Sequence, residues 1–131
     1  MTDRSPTHRV LVVDDQPDAV DAVCTLLRLL GHEARGLRSG AGVIEAVDAF
    51  QPTLVLLDIG LPDVSGYELA TALHAREHRP FYLVAITGWG SPADRARALE
   101  AGFDEHVVKP IDAKIVRAVL ERASAARETP R

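Results

Sequence analysis

The side chains best suited to chemistry in this chain stand at or just after the ends of short apolar runs. Two neighbouring acids follow the first run, a third acid and a threonine close two later runs, and a lysine follows the last one. Carboxylate oxygens, a hydroxyl group and an ammonium group can together hold a hard divalent cation and a phosphoryl group. The residues are Asp14, Asp15, Asp58, Thr87 and Lys109.

Three carboxylates brought to one place repel each other, so a positive charge has to offset them. Mg²⁺ binds through one or two carboxylates, waters and a phosphate, and it is the cation that this chemistry favours. Lys109 would add a second positive charge, and the Thr87 hydroxyl could donate a hydrogen bond to a phosphoryl oxygen. With Asp58 as the nucleophile, the set has the parts that in-line phosphoryl transfer requires.

These side chains come together only if the apolar runs are strands of one parallel sheet. Most runs are continuous in Val, Leu and Ile, which is typical of strands buried on both faces, and helical spacing of apolar residues follows each run. The alternation predicts an α/β fold, a doubly wound parallel sheet of five strands with five helices, whose ligands bind at the carboxyl edge. The runs are Val10–Val13, Glu33–Arg35, Leu54–Leu57, Tyr82–Ile86 and His106–Val108.

Capping residues predict where the helices begin and end. Ser39, Ser65 and Asp112 would cap the second, third and fifth helices at their N-termini. Pro92 suits the first turn of the fourth helix, and Gly31 would end the first one. Each helix therefore has one predicted boundary.

The last two helices differ in apolar content. The fourth contains alanines and a single larger apolar residue, Leu99, so it should bury little area and be loosely held. The fifth carries a broad apolar arc that either packs entirely in the core or in part forms a homodimer or partner surface. The arc consists of Ile115, Val116, Val119 and Leu120.

Composition restricts the class of protein. The 131 residues suffice for one domain, and a net charge of −4 with a pI near 5.7 argues against a nucleic-acid surface. No apolar run is long enough to cross a bilayer, and the N-terminus has no signal-peptide pattern. The single cysteine, Cys24, cannot form an intrachain disulfide and is expected in the core. The histidines without metal-ligand spacing are expected at the surface or at the boundary of the core: His8, His32, His74 and His78. These features favour a cytoplasmic protein.

Four motifs, taken together, resemble the signature of response-regulator receiver domains of two-component phosphorelay signalling. They occur in the family's order and at its intervals, and the resemblance extends from about Arg9 to about Ala123. It implies a flavodoxin-like sheet with strand order 2-1-3-4-5, a tail at residues 1–8, a receiver domain at 9–124 and a second tail at 125–131. The motifs are Val12–Asp15, Leu57–Gly66, Ala85–Gly88 and Val108–Pro110.

The resemblance also implies the roles of the acidic residues. Asp58 would accept a phosphoryl group from the phosphohistidine of a histidine kinase or a histidine phosphotransfer protein. Asp15 would be the principal acidic Mg²⁺ ligand and Asp14 would act through water. Asp58 and the backbone carbonyl of Gly60 would complete the protein ligands. Asp63, in the same motif, is expected to serve a loop turn rather than the metal.

The resemblance places Thr87 and Lys109 against the phosphoryl oxygens of the modified state, with a cis peptide bond between Lys109 and Pro110. Two positions that would take part in the switch are unusual. His106 stands where the family usually carries Tyr or Phe, and it either moves inward with Thr87, with a pH dependence, or is a bystander. Trp89 either slows loss of the phosphoryl group, anchors a partner or covers local apolar surface.

The implied function is that of a single-domain response regulator, a signalling phosphoacceptor rather than an enzyme. Its fourth helix, fifth strand and fifth helix would contact a downstream protein target or a second copy, and neither a DNA-binding segment nor a membrane anchor is expected. Two alternatives remain: a constitutive scaffold that is never phosphorylated, and a haloacid-dehalogenase-like phosphohydrolase. The hydrolase family needs an acidic residue two positions after its nucleophile, where this chain has Gly60.

Overall fold

Strands and helices alternate along the chain in the computed structural model, which describes residues 7–75, 81–88 and 90–128. The strands of this part of the chain are β1 (Arg9–Val13), β2 (Glu33–Leu37), β3 (Leu54–Asp58), β4 (Tyr82–Thr87) and β5 (Glu105–Val108). The helices are α1 (Pro17–Leu29), α2 (Val43–Phe50), α3 (Gly66–His74), α4 (Pro92–Ala101) and α5 (Ala113–Glu128). Neighbouring strands are parallel, in the order β2-β1-β3-β4-β5, which confirms the predicted fold class.

The three central strands, β1, β3 and β4, are buried on both faces because helices cover the sheet from two sides. Side chains of β1 alternate between two apolar clusters. Leu11 and Val13 pack with residues of α2 and α3, whereas Val10 and Val12 pack with residues of α1 and α5. Every residue of β3 is buried as well. This double burial explains why the strand runs are continuously apolar rather than alternating.

Several predicted helix boundaries are confirmed. The Ser65 hydroxyl accepts a hydrogen bond from the Tyr67 amide at the start of α3, at 3.2 Å. A carboxylate oxygen of Asp112 accepts one from the Ile115 amide at the start of α5, at 2.9 Å. These bonds satisfy amides that have no partner within the helix. Pro92 occupies the first turn of α4, as predicted.

The predicted cap at Ser39 is wrong. α2 is preceded directly by Gly42, which has a left-handed backbone (φ 86°) and no side chain with which to cap the helix. The amides just before it, those of Gly40 and Ala41, donate hydrogen bonds to the carboxylate of Asp63 in the β3–α3 loop. A residue distant in the sequence therefore takes the place of the local serine.

The first helix follows its prediction. Gly31 lies just beyond the end of α1 with a φ of 92°, a left-handed conformation that favours glycine after a helix. Cys24 is buried within α1, and burial raises the pKa of its thiol. This cysteine is therefore a core residue, as expected.

The last two helices differ in packing. Ala98 is the buried residue of α4 and Leu99 is 51% exposed, so little apolar area holds this helix. In α5, the predicted arc from Ile115 to Leu120 packs in the cluster shared with α1, so core packing accounts for it. α5 continues to Glu128, which makes residues 125–128 helical although a tail was expected there. None of the helices in the described part of the chain has the length and apolarity needed to span a bilayer.

A buried histidine departs from the expected surface pattern. The side chain of His8 is 0% exposed, and its two ring nitrogens lie 2.8 Å from the hydroxyl oxygens of Thr53 and Ser124. The prediction of a surface or boundary position is therefore wrong for His8, because Thr53, just before β3, and Ser124 of α5 satisfy its ring. His8 was expected in the tail at residues 1–8, but it is part of the packed domain. Of the other histidines, His78 lies outside the described residues.

Gly66 lies where α3 meets the end of β3. A Cβ atom there would lie 2.5 Å from the Cα atom of Ile59 and 3.0 Å from the backbone oxygen of Asp58. Because backbone would have to shift, we expect Gly66→Ala to lower the free energy of unfolding by about 1–3 kcal/mol. Gly88→Ala, whose Cβ would have no atom within 4 Å, is the matched control. Urea unfolding followed by circular dichroism measures both, and equal stability of the two variants would contradict the clash.

Candidate functional site

The carboxyl ends of the strands bring the predicted site residues together. Asp14 follows β1, Asp58 ends β3 and Thr87 ends β4, and these three side chains are buried. Lys109 follows β5, and its backbone amide donates a hydrogen bond to the carbonyl of Thr87 at 2.8 Å. Since β1 and β3 are neighbours in the sheet, two acids that are far apart in the sequence lie side by side.

Three carboxylates form one cluster at this edge. Oxygen atoms of Asp14, Asp15 and Asp58 lie within 4.8 Å of one another. Asp14 and Asp58 are each 4% exposed, whereas Asp15 is exposed to solvent. An all-oxygen donor set that opens to solvent is what Mg²⁺ prefers, because this ion retains waters in its coordination shell. The residues present therefore fit the predicted cation.

The Lys109 ammonium group bridges two of these acids. Its Nζ atom lies 2.9 Å from Oδ2 of Asp14 and 3.0 Å from Oδ2 of Asp58. Burial lowers the pKa of Lys109, but the hydrogen bonds and charges of the two carboxylates outweigh burial and raise the pKa above its ordinary value. The lysine therefore keeps its positive charge between the acids. The peptide bond that follows it, to Pro110, is cis, as the resemblance implies.

Backbone amides orient the two buried carboxylates. Oδ1 of Asp58 accepts a hydrogen bond from the Gly60 amide at 2.8 Å, and Oδ1 of Asp14 accepts one from the Gln16 amide at 3.0 Å. Burial nevertheless raises the pKa of Asp58 by more than the hydrogen bonds from Gly60 and Lys109 lower it. The ionised Asp58 carboxylate is thus held at a cost in free energy that a bound cation would relieve.

His106 lies beside this site, on the sheet face that packs against α4. It is paired with Ala85 on β4, two residues before Thr87, so the His106 and Thr87 side chains lie on the same face. Both ring nitrogens of His106 are buried, and neither has a hydrogen-bond partner among the described residues. Burial, and after it the charge of Arg95, lowers the pKa of this ring. The second unusual residue, Trp89, lies outside the described residues.

Sequence interpretation missed the backbone contacts and the groove beside the site. Residue types do not mark the amides of Gln16 and Gly60 as donors to the acids, because almost every residue supplies an amide. A groove of about 550 Å³ also runs from Asp14 and Lys109 between α1 and the β5–α5 loop. Ala19 and Ala22 of α1 line this groove. Their small side chains leave space beside the helix, and they are the signal in the sequence that could have indicated a groove.

Comparison with known proteins agrees with this geometry. The family described as response regulator receiver domain matches residues 10–121. The transcriptional regulatory protein KdpE of Mycobacterium tuberculosis is 33% identical over 123 residues, which cover 91% of this chain and 54% of KdpE. The sensory transduction protein RegX3 of the same organism is 35% identical over 117 residues, which cover 86% of this chain and 51% of RegX3. The chain thus spans about half the length of the curated relatives it matches. That the protein is a single domain without a DNA-binding segment stays a prediction.

Solved structures share the fold. A response regulator receiver domain protein (CheY-like) from Methanospirillum hungatei superposes with a TM-score of 0.83 at 26% identity, over 94% of this chain and 98% of that one. A response regulator receiver domain (CheY-like) from Methylobacillus flagellatus gives a TM-score of 0.77 at 28% identity, over 90% of this chain and 99% of that one. The architecture of this chain is therefore that of receiver domains along nearly its whole length.

The buried carboxylate of Asp58 leads to a prediction about stability. Because the folded-state pKa of Asp58 is raised, its contribution to stability is complete below the unfolded pKa of about 3.9 and is lost as the pH rises through the folded value. We therefore expect Asp58→Asn to raise the melting temperature at pH 7.5, without divalent cations, by roughly 2–5 °C. The gain should shrink as the pH falls towards 4.

Thermal unfolding in EDTA, followed by circular dichroism at several pH values, measures this effect. The control is Asp21→Asn, which removes the same charge from an exposed position on α1 and should shift the melting temperature by about 1 °C or less. If Asp58→Asn melted at or below the temperature of the wild-type protein at pH 7.5, the ionised Asp58 side chain would not be destabilising.

Proposed function

Because this chain belongs to the response regulator receiver domain family, we propose that Asp58 accepts a phosphoryl group from a phosphohistidine in a Mg²⁺-dependent reaction. The partner would be a histidine kinase or a histidine phosphotransfer protein. The observation that carries the proposal is the Lys109 ammonium group, which lies 2.9 Å from Asp14 and 3.0 Å from Asp58 within a cluster of three carboxylates. This arrangement places a nucleophilic carboxylate, oxygen donors for a cation and a positive charge for the phosphoryl oxygens within one site.

In the transfer, a carboxylate oxygen of Asp58 attacks the phosphorus atom. The new O–P bond forms as the N–P bond of the phosphohistidine breaks, and the electron pair of that bond stays on the imidazole nitrogen of the partner. The Gly60 amide holds the carboxylate in place through Oδ1. The Thr87 hydroxyl and the Lys109 ammonium group would then hydrogen-bond the phosphoryl oxygens.

Three oxygen donors of this chain would bind the cation directly, from the side chains of Asp15 and Asp58 and the backbone carbonyl of Gly60, and Asp14 would act through a water molecule. The three carboxylates are already within 4.8 Å of one another. When bound, Mg²⁺ supplies positive charge that offsets the acids and the phosphoryl oxygens. This charge would favour the ionised form of Asp58, which burial opposes by raising its pKa.

The groove beside the site would receive the partner protein. It opens onto Asp14 and Lys109, and the buried side chains of Val12 and Ile86 are among its lining residues. A partner surface that presents a phosphohistidine among apolar side chains would match a groove that has apolar walls and carries Asp14 and Lys109 at its end. The match would bring the phosphorus atom to Asp58 without burying a new unpaired charge.

Phosphorylation of Asp58 would be reported by Thr87 and His106. The phosphoryl group carries a charge of about −1.5 to −2 and three acceptor oxygens. The Thr87 hydroxyl would turn towards the site and donate a hydrogen bond to one of these oxygens. His106 lies on the same face of the sheet and would move into the space that Thr87 leaves. Trp89 in the following loop would be a further part of the switch. The loosely packed α4 covers the same face of the sheet. A small difference in free energy between its two positions would suffice to change which one is populated.

The face formed by α4, β5 and α5 would be the output surface of this phosphoacceptor. Leu99 is 51% exposed and Val108 is 37% exposed, so the face offers apolar contacts. Glu105 of β5 and Arg122 of α5 form an ion pair of 2.6 Å that joins these two elements. A downstream protein or a second copy of the chain would bind there, and the chain would act as a signalling component rather than as an enzyme with repeated turnover.

A phosphorylation assay tests the proposal directly. We expect incubation with Mg²⁺ and acetyl phosphate to add one phosphoryl group, because the small donor reaches the same carboxylate as a phosphohistidine. Intact mass spectrometry should show the adduct, and hydroxylamine should remove it because it is an acyl phosphate. Asp58→Asn and the wild-type protein in EDTA should show no adduct, whereas the control Asp21→Asn should match the wild type.

Other outcomes of this assay separate the alternatives. An adduct that persists in Asp58→Asn would place the acceptor elsewhere and contradict the proposal. No adduct with any donor, together with unchanged partner binding, would identify a constitutive scaffold. Rapid hydrolysis of phosphate esters would identify a phosphohydrolase instead.

His106 should make the stability of the protein depend on pH. Its folded-state pKa is lowered, so its contribution to stability is present above the unfolded pKa of about 6.5 and is lost as the pH falls through the folded value. Between pH 7 and pH 5 we expect the melting temperature of the wild-type protein to fall by more than that of His106→Phe, because phenylalanine cannot be protonated. Thermal unfolding across this pH range measures the difference.

The control for this experiment is His74→Gln, since His74 is exposed on α3. Its melting curve should follow the pH dependence of the wild-type protein. If the melting temperatures of His106→Phe and the wild type changed in parallel with pH, the folded protein would bind the neutral and the protonated ring of His106 equally well, and the prediction would be wrong. Partner affinity of the phosphorylated forms, measured at pH 7.5 and pH 5.5, then shows whether His106 takes part in the readout.

A further inference from the structure

Asp63 lies in the β3–α3 loop but makes its hydrogen bonds to a different loop. Its Oδ1 atom accepts a hydrogen bond from the Gly40 amide and its Oδ2 atom accepts one from the Ala41 amide, each at 2.9 Å. Both carboxylate oxygens are thus bound to consecutive amides of the β2–α2 loop. A two-point contact of this kind fixes the orientation of the side chain as well as its distance.

Close packing holds the same two loops together. A Cβ atom on Gly40 would lie 2.9 Å from the Cβ atom of Val64 and 3.2 Å from Cδ1 of Leu69. The backbone of the β2–α2 loop therefore touches side chains on both sides of the turn into α3. Neither loop can shift far without opening this contact, because packed interiors have little free volume.

The negative charge of Asp63 is favoured where it lies. The residues that it binds directly precede Gly42, the N-cap of α2, which has no capping side chain. A helix N-terminus carries a partial positive charge that stabilises an anion. The hydrogen bond from Gly40, supported by the one from Ala41, lowers the pKa of Asp63. Asp63 is therefore an ionised acceptor at neutral pH.

Gly60 lies between two such fixed points. On one side its own amide is bound to Oδ1 of Asp58 at 2.8 Å. On the other side the loop is anchored through Asp63 to the β2–α2 loop. Gly60 is exposed, and a Cβ atom there would meet only Oδ1 of Asp58, at 3.4 Å, whereas the next residue, Leu61, is buried in the core. The Gly60 backbone is therefore held through its neighbours, by the hydrogen bond to Asp58, the buried Leu61 side chain and the Asp63 anchor, because glycine itself restricts the backbone little.

We propose that Asp63 is a positioning residue for the divalent cation, because it anchors the loop that carries the Gly60 carbonyl. The proposal rests on the proposed function of the site, in which this carbonyl is a ligand. Asp63 does not touch the cation and acts only through the backbone at Gly60. Outer partners of metal ligands typically change metal affinity about 10–100-fold when they are lost, and an exposed backbone ligand belongs at the low end.

Calorimetric titration of the full chain with Mg²⁺, without a phosphodonor, tests the proposal. Asp63→Asn presents an NH₂ group to one of the two amides, so the Kd for Mg²⁺ should rise about threefold to tenfold. Asp63→Glu keeps the charge but displaces the carboxylate, and it should also weaken binding. The control is Glu68→Gln, which removes the same charge from the exposed first turn of α3 and should change the Kd less than about twofold.

The rate of phosphorylation by acetyl phosphate supplies a second readout. At saturating Mg²⁺ the Asp63→Asn variant should approach the rate of the wild-type protein, because the acceptor carboxylate and Lys109 are intact. Unchanged Mg²⁺ affinity in both Asp63 variants, with a lowered melting temperature, would overturn the proposal and leave Asp63 with a structural role. An equal loss of affinity in Glu68→Gln would overturn it in favour of charge alone.

Failure of the proposed function looks different. In that case the wild-type protein itself would not bind Mg²⁺ or would not become phosphorylated on Asp58. A wild-type protein that binds the cation and carries the phosphoryl group, with Asp63 variants that bind the cation equally well, would contradict only the role of Asp63.

Discussion

The contact of Lys109 with Asp14 and Asp58 is the interaction on which the site depends. Two buried carboxylates at neighbouring strand ends repel each other, and a protein interior screens that repulsion far less than water does. The offsetting charge comes from beyond β5, on the far side of β4, at 2.9 and 3.0 Å from the two acids. The site therefore exists only when the strands have assembled in their order, so fold and chemistry are coupled.

The lysine offsets the acids incompletely, and this leaves the site ready to bind. Burial raises the pKa of Asp58 although Lys109 and the Gly60 amide both favour its ionised form. Binding of a cation, or conversion to an acyl phosphate, would stabilise a carboxylate held in this way more than one that is fully paired. The residue whose ionised form burial opposes is thus also the proposed acceptor.

The two sides of the site differ in how firmly they are held. On one side, Asp63 and the close approach of Gly40 to Val64 tie the β3–α3 loop to its neighbour. On the other side, α4 buries little apolar area, and the ring nitrogens of His106 have no partner among the described residues. This asymmetry supports the proposed switch, in which the metal ligands stay in place while the α4–β5–α5 face changes conformation.

The sequence by itself determined the fold class and which residues gather at the carboxyl edge. Strands buried on both faces have to be continuously apolar, and parallel strands need helices between them, so both patterns are local and visible. Only the tertiary structure decided the contacts between distant segments. Asp63 rather than Ser39 binds the amides before α2, and His8 is buried between Thr53 and Ser124. Such contacts depend on which loops meet in space, and neither residue type nor local spacing carries that information.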